Sequence, residues 1–365
     1  MSDRLHDTRH GLAMDAEKLL ARAAAAEARA SRSLTLAMDD FFLPEAVRLG
    51  ERLRSELALL VEGVIGRIEA ELRDSGRRIL VGRGETNLAA ALDQPIGAVH
   101  ARLCESGLLR DPELMAELIA RVRQEALGAA LPMQAPDDPE QPSLLNRFAQ
   151  HSDRLLANGA VALLMAESRR RGASGTGDLP AELQHRLTWW VAATIRQTAH
   201  VAASDGVVLD RVLSDAALRS LANQDEGDRL ESAAMRFAVA LDAPPEELGA
   251  LLIEALGDGR VALFTAILAH ALGVSFTIGR DLVLDPAGER LWVALRALDV
   301  PRGAVAQIGY ALCEADARRD LEQFADMLDD IMALDPAEAR GAMAALKLHP
   351  DYRAAILALT LAGAA

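Results

Sequence analysis

Residues 51–72 read ERLRSELALLVEGVIGRIEAEL, in which Leu53, Leu57, Leu60, Val64, Ile68 and Leu72 recur at intervals of three and four. A backbone that turns once every 3.6 residues lays these side chains along one side, so the spacing predicts a long amphipathic α-helix. Shorter stripes of the same kind follow down the chain. They include Leu114, Leu118 and Val122; Leu183, Leu187, Trp190 and Ile195; Leu248, Leu251, Leu252 and Leu256; Val305, Ile308 and Leu312; and Leu321, Phe324, Leu328 and Ile331. Apolar residues form 51% of the chain and aromatics 3%, so the interior is built from Ala, Leu and Val, of which Ala and Leu are strong helix formers. The best strand candidates are triplets such as Ile79-Leu80-Val81, too short to compete. The fold is therefore expected to be all-α, an array of stacked amphipathic helical pairs of the HEAT-like solenoid kind.

Punctuation divides this array. Residues 128–142 carry Pro132, Pro136, Pro139 and Pro142 among Ala, Gln and Asp, which reads as a linker. It separates an N-terminal helical unit at 35–127 from a C-terminal helical-repeat domain at 143–365. Residues 1–34, rich in Ala, Glu and Arg, read as a helical arm. Ser143 is placed to cap one helix carrying Leu144, Phe148, Leu156 and Leu164. Arg169 to Arg171 fall in its last turn, where cations suit the negative end of the helix dipole. Asp111-Pro112, Asp285-Pro286 and Asp335-Pro336 each pair a capping Asp with a first-turn Pro and predict three helix starts.

With 54 acidic against 39 basic residues the net charge is -15, which repels polyanions and disfavours nucleic acid as a partner. The two cysteines, Cys104 and Cys313, are far apart in sequence and suit a reducing cytoplasm. Met1 to His10 lack the apolar core of a signal peptide, and no stretch has the uncharged length of a membrane span.

Several motifs resemble an alphaproteobacterial family, domain of unknown function 2336. They are Asp40-Phe41-Phe42-Leu43-Pro44-Glu45; Ala91-Leu92-Asp93-Gln94-Pro95 with Val99, Leu103 to Leu109 and Leu114; Leu179-Pro180-Ala181-Glu182-Leu183 to Trp190; and Ala271-Leu272-Gly273 through Asp285-Pro286-Ala287-Gly288 to Leu295-Arg296. Together they cover most of residues 35–300. The resemblance implies an all-helical array from a bacterial cytoplasm, with no catalytic residues to carry across.

Residue types that carry chemistry do not assemble into a catalytic motif. His100 and Cys104 lie four apart on one helix face, but without a third ligand they predict core packing for Cys104 rather than a metal site. Ile79 to Asn87 and Gly172 to Gly177 lack the full glycine signatures of phosphate loops and read as turns between helices. His151 and Asp153 have no nucleophile elbow beside them. No cofactor is implied, and a non-enzymatic protein is expected. Residues 88–109 have the outline of a helix-turn-helix, with Arg102 on its second helix and Arg77, Arg78, Arg83 and Arg110 around it; these would be its nucleic-acid contacts. Trp189 and Trp190 are adjacent, so they point about 100° apart. Trp190 continues the core stripe, whereas Trp189 falls with His185 and Arg196 on a more polar side. Those three residues are the candidate protein-partner contact. A helical scaffold binding a protein partner is the preferred function; a small-ligand sensor with a pocket between helix pairs, or a DNA-binding regulator through 88–109, are the alternatives.

Overall fold

The computed structural model describes residues 48–93, 97–132, 142–172, 178–199 and 201–363. Among them are 17 α-helices and no strand, an all-α helical array. The chain divides into two compact units, Met1–Glu51 and Arg52–Ala365. Of the first, residues 48–51 are described, so the expected arm at 1–34 and the Asp40 to Glu45 motif lie outside the described residues.

Helix α1 spans Glu51–Gly82. Leu57, Val64, Ile68 and Leu72 of the opening stripe are buried, while Leu53 and Leu60 are half-buried. Ile79-Leu80-Val81 lie in its last turns, because a branched triplet with no neighbouring strand to bond has nothing to oppose helix propagation. After α2 (Thr86–Ala91) and α3 (Ala98–Ser106), Asp111 starts α4 (Pro112–Ala130), accepting the Leu114 N–H at 2.9 Å.

The single helix expected from Ser143 is two: α5 (Leu144–Ala149) and α6 (Arg154–Arg171). His151 Nδ1 accepts the Asp153 N–H at 3.1 Å and Asp153 Oδ1 accepts the Leu155 N–H at 2.7 Å, an N-cap set inside the apolar run. The apolar pattern resumes after this break, which is why periodicity alone hides it. Ser143 makes no capping bond; the Leu144 N–H instead donates to Asp258 Oδ2 at 2.8 Å.

Then follow α7 (Ala181–Thr198), α8 (Ala203–Ala222), α9 (Leu230–Leu241), α10 (Pro245–Gly257), α11 (Val261–Leu272) and α12 (Phe276–Leu284). The series ends with α13 (Glu289–Ala297), α14 (Arg302–Ala315), α15 (Leu321–Ala333), α16 (Pro336–Met343) and α17 (Pro350–Gly363). Asp335 caps α16 through the Ala337 N–H at 2.7 Å. Asp285-Pro286 does not start a helix. Asp285 closes α12 and accepts the Ala287 N–H at 3.2 Å; the chain turns through Gly288 at φ +72°, and α13 begins at Glu289.

One core cluster runs from Leu127 to Phe324, with α11 at its centre. Val261 to Ala269 are all buried, as a helix that is apolar on every side must be. Burying Leu263, Phe264, Ile267 and Leu268 contributes roughly 1.5–3 kcal/mol each. Helix α11 packs on α9, α10, α12 and α4, and α4 also meets α12 and α14. The proline-rich stretch at 128–142, read above as a divide between domains, thus joins elements that pack together within one unit. Among the described residues no single helix is long and apolar enough to cross a membrane; α11 and α12 would suffice only together, and they are bent by 116°.

Candidate functional site

Helix α7 presents three different faces. Leu183, Leu187, Val191 and Ile195, spaced by four, are buried. Val191 therefore holds the core position expected for Trp190, which is half-buried. One position round, Gln184 and Thr188 are buried polar residues, with the Gln184 Nε2 3.5 Å from Thr188 Oγ1. On the outer side Trp189 Nε1 donates to His185 Nε2 at 3.1 Å, and the two rings meet edge to face, 6.1 Å between centroids. Trp189 is half-buried. His185, Trp189 and Trp190, with Ala181, Glu182 and Arg186, line a wide-mouthed, mainly apolar depression of about 660 Å³.

Arg196 does not join this surface. Its Nε lies 2.6 Å from Asp210 of α8 and its guanidinium packs over Gly206, so it belongs to the α7–α8 contact. Arg186 reaches Asp111 at 2.5 Å and Glu113 at 2.7 Å, pinning α7 to the start of α4. The Leu114 N–H, and after it Arg186, hold the Asp111 carboxyl below its usual range against partial desolvation.

Beside α7 lies an arrangement that the sequence reading missed. Glu117 of α4 receives Arg280 of α12 through two hydrogen bonds, at 3.2 and 2.6 Å. Arg229, just before α9, stands 3.6 Å from Glu117, 3.7 Å from Asp178 and 3.3 Å from Glu231. Arg170 of α6 pairs with Asp178 and meets Glu231 at 2.7 Å. Three carboxylates and three guanidiniums are thus interleaved below the surface, tying α4, α6, α9, α12 and the segment before α7. Burial would push the Glu231 carboxyl up, but Arg170, by charge and hydrogen bond, and then Arg229 bring it down to about 2. Burial opposes the charge on Arg170 and on Arg280, yet their carboxylate partners hold both protonated more firmly than usual. The sequence does carry one signal: Glu117 and Arg121 sit among Leu114, Leu118 and Val122, where a surface helix would bury only apolar residues. The Arg169 to Arg171 run likewise does more than face the helix dipole, since Arg170 joins Asp178 to Glu231 in this network.

Asp178, Arg170, Arg229 and Gln184 also line a polar cavity of about 280 Å³ that extends toward Arg67 and Glu71 of α1.

The arginines of the helix-turn-helix reading are largely neutralised. Arg77 lies 3.0 Å from Asp74, Arg78 3.2 Å from Asp74, Arg83 3.6 Å from Asp215 and Arg102 3.0 Å from Glu105. Arg110 is exposed in the 3-10 turn Leu108–Arg110. The α3 face with Val99 and Leu103 is buried, and α3 packs on α7; Gln94 to Ile96, the turn itself, lie outside the described residues. Cys104 is exposed, not packed in a core, because it sits one position beyond buried Leu103; its Sγ is 3.5 Å from His100 Nε2. Among the described residues no three His, Cys, Asp or Glu side chains come together as a metal site would require. Ile79 to Asn87 form the end of α1, a turn and the start of α2, while residues 173–177 of the second glycine loop lie outside the described residues.

Residues 175–344 match the model of a family described as an uncharacterised protein conserved in bacteria (DUF2336). No curated protein and no solved structure matches the chain. The match takes in the third and fourth of the resembling motifs and continues past residue 300; the motifs at 40–45 and 91–114 precede it. Asp178, Arg229, Glu231 and Arg280 fall inside the matched region, whereas Glu117 and Arg170 fall before it.

Proposed function

With the match of residues 175–344 to DUF2336 as the premise, we propose that the chain is a non-enzymatic helical scaffold that binds a protein partner through the outer face of α7. The observation that carries this reading is the open apolar depression at His185, Trp189 and Trp190. Two of the chain's three tryptophans flank it, both half-buried. Tryptophan in a partly desolvated surface pocket is the residue type that dominates binding energy when a partner covers it. Glu182 on the rim and a net charge of -15 favour a partner that presents an apolar anchor beside a positive charge. Arg196, committed to Asp210, drops out of the contact set. A HEAT-like stacking of helix pairs suits such a role, since stacked pairs present extended surfaces. The two free thiols, Cys104 and Cys313, support a reducing, cytoplasmic setting. Pairing of the arginines around 88–109 with acids weighs against the DNA-binding alternative.

The test is capture of binding proteins from the native host with the wild type and Trp189→Ala in parallel, after matching their helicity and thermal melting. Loss of a contact of this kind costs about 2 kcal/mol or more, roughly 30-fold in affinity. A specific partner retained by the wild type and lost by the variant supports the reading. Equal recovery from both, or no specific protein from either, rejects it.

A further inference from the structure

We propose that the polar cavity between α1, α6, α7 and α8 binds a small zwitterion of free amino-acid size. Its volume of about 280 Å³ lies just below the range for drug-sized ligand pockets, ~300–1,000 Å³, as suits a smaller molecule. Most of the charge around it is internally balanced. Arg170 and Arg229 are engaged by Asp178 and Glu231, and Arg169 meets Asp228 at 3.5 Å.

What remains uncommitted has a definite chemistry. The Nε of Arg67 is buried, and among the described residues no group accepts from it and no carboxylate lies within ion-pair distance of its guanidinium. Gln184 is 4% exposed, lines the cavity, and its Oε1 receives no hydrogen bond among the described residues. A buried amide oxygen and a buried guanidinium nitrogen left in this condition each cost free energy that a ligand recovers. The first calls for a donor and the second for an anion. Glu71 and Asp225, both exposed at the rim, add negative charge to the lining. Ser220 and Asn223, which spend no side-chain hydrogen bond on the protein among the described residues, complete the lining. A simple anion would satisfy Arg67 but meet Glu71, Asp225 and the Gln184 oxygen with repulsion. A simple cation would do the reverse. A carboxylate on Arg67 with an ammonium group toward Gln184 Oε1 and Asp225 satisfies both ends at once. The cavity is small and open at its rim, so it admits a free metabolite but not a stretch of folded polypeptide or of nucleic acid. This site is separate from the outer face of α7, and the two stand or fall independently.

The experiment is thermal-shift and calorimetric titration of the full chain with each proteinogenic amino acid at millimolar concentration. Acetate, inorganic phosphate and glycine betaine, a zwitterion without an N–H donor, serve as comparison probes. At least one amino acid should bind with unit stoichiometry and raise the melting temperature, while the three comparison probes do not. Arg67→Ala and Gln184→Leu should each weaken that binding about tenfold or more, and Trp189→Ala should leave it unchanged. Arg67→Gln, which keeps the bulk of the side chain, guards against a folding defect and should also lose binding. The proposal is overturned if no amino acid binds, if acetate, phosphate or betaine binds as well as the best amino acid, or if the folded Arg67 variants bind as the wild type does.

Discussion

Glu231→Ala should lower the free energy of unfolding by about 3–5 kcal/mol, the cost of removing one partner from a buried ion pair. Arg170 would be left with Asp178 alone, and Arg229 with Asp178 and with a Glu117 that Arg280 already engages, in a setting where water reaches them poorly. Removing the carboxylate of an exposed pair gives the comparison: Glu56→Ala, which breaks the contact of Glu56 with Arg52 at 2.8 Å on the surface of α1, should cost about 0–1 kcal/mol. Urea unfolding of the three proteins at neutral pH measures both. The same carboxyl sets an acid limit. Glu231 titrates near 2 in the folded chain against 4.5 for its ordinary value, so its contribution is complete above 4.5 and is lost as pH falls toward 2. The loss is on the order of 3 kcal/mol by the size of that shift. Wild-type stability should therefore fall steeply between pH 5 and 2, and the decline should be shallower in Glu231→Ala. Equal slopes would place the acid sensitivity in other carboxylates.

Gly288→Ala should cost about 2–4 kcal/mol, although it adds a single methyl group. Gly288 has φ +72°, a left-handed conformation that costs an L-residue about 1–2 kcal/mol. A Cβ there would also stand 2.9 Å from two ring carbons of Trp292 and 2.7 Å from Arg319 Nη1. Neither neighbour can step aside. Trp292 is 2% exposed and packs on Phe324 with centroids 4.7 Å apart, and Arg319 lies over the indole while donating to the Val283 carbonyl at 2.6 Å. Overpacking of this sort adds about 1–3 kcal/mol, offset in part by the smaller freedom of an unfolded Ala. Gly84→Ala separates the two causes, since Gly84 has φ +81° with nothing near its absent Cβ. Denaturation midpoints should show Gly288→Ala well below Gly84→Ala; similar midpoints would mean that the ring and the guanidinium yield.

These two sites also show how far sequence reading reaches. Helices whose apolar residues recur regularly were legible, and so were the Asp111-Pro112 and Asp335-Pro336 starts, because a helix end is a local matter of one side chain and the next turn. Asp285-Pro286 carries the same local signal yet makes a turn, in which Asp285 accepts the Ala287 N–H and Gly288 takes a left-handed conformation. The break at His151 to Asp153 stayed hidden because capping preserved the apolar pattern on both sides. On α7 the choice of Trp190 for the core overlooked Val191, the smaller residue at the better spacing. The ionic network was the least legible feature of all. Glu117 and Arg280 are 163 residues apart, and nothing in either neighbourhood names the other.

That separation has a consequence for inheritance. Asp178, Arg229, Glu231 and Arg280 lie inside the region that the family model matches, yet Glu117 and Arg170, which neutralise or bridge them, lie before residue 175. A chain that kept the matched region and exchanged its preceding helices would leave Arg280 without Glu117, while Arg229 would keep Asp178 and Glu231. The two stretches are therefore coupled: replacing Glu117 by a neutral residue should destabilise a chain that keeps Arg280 more than one that loses both charges, and a preceding segment grafted from another chain should fit only where its charges match.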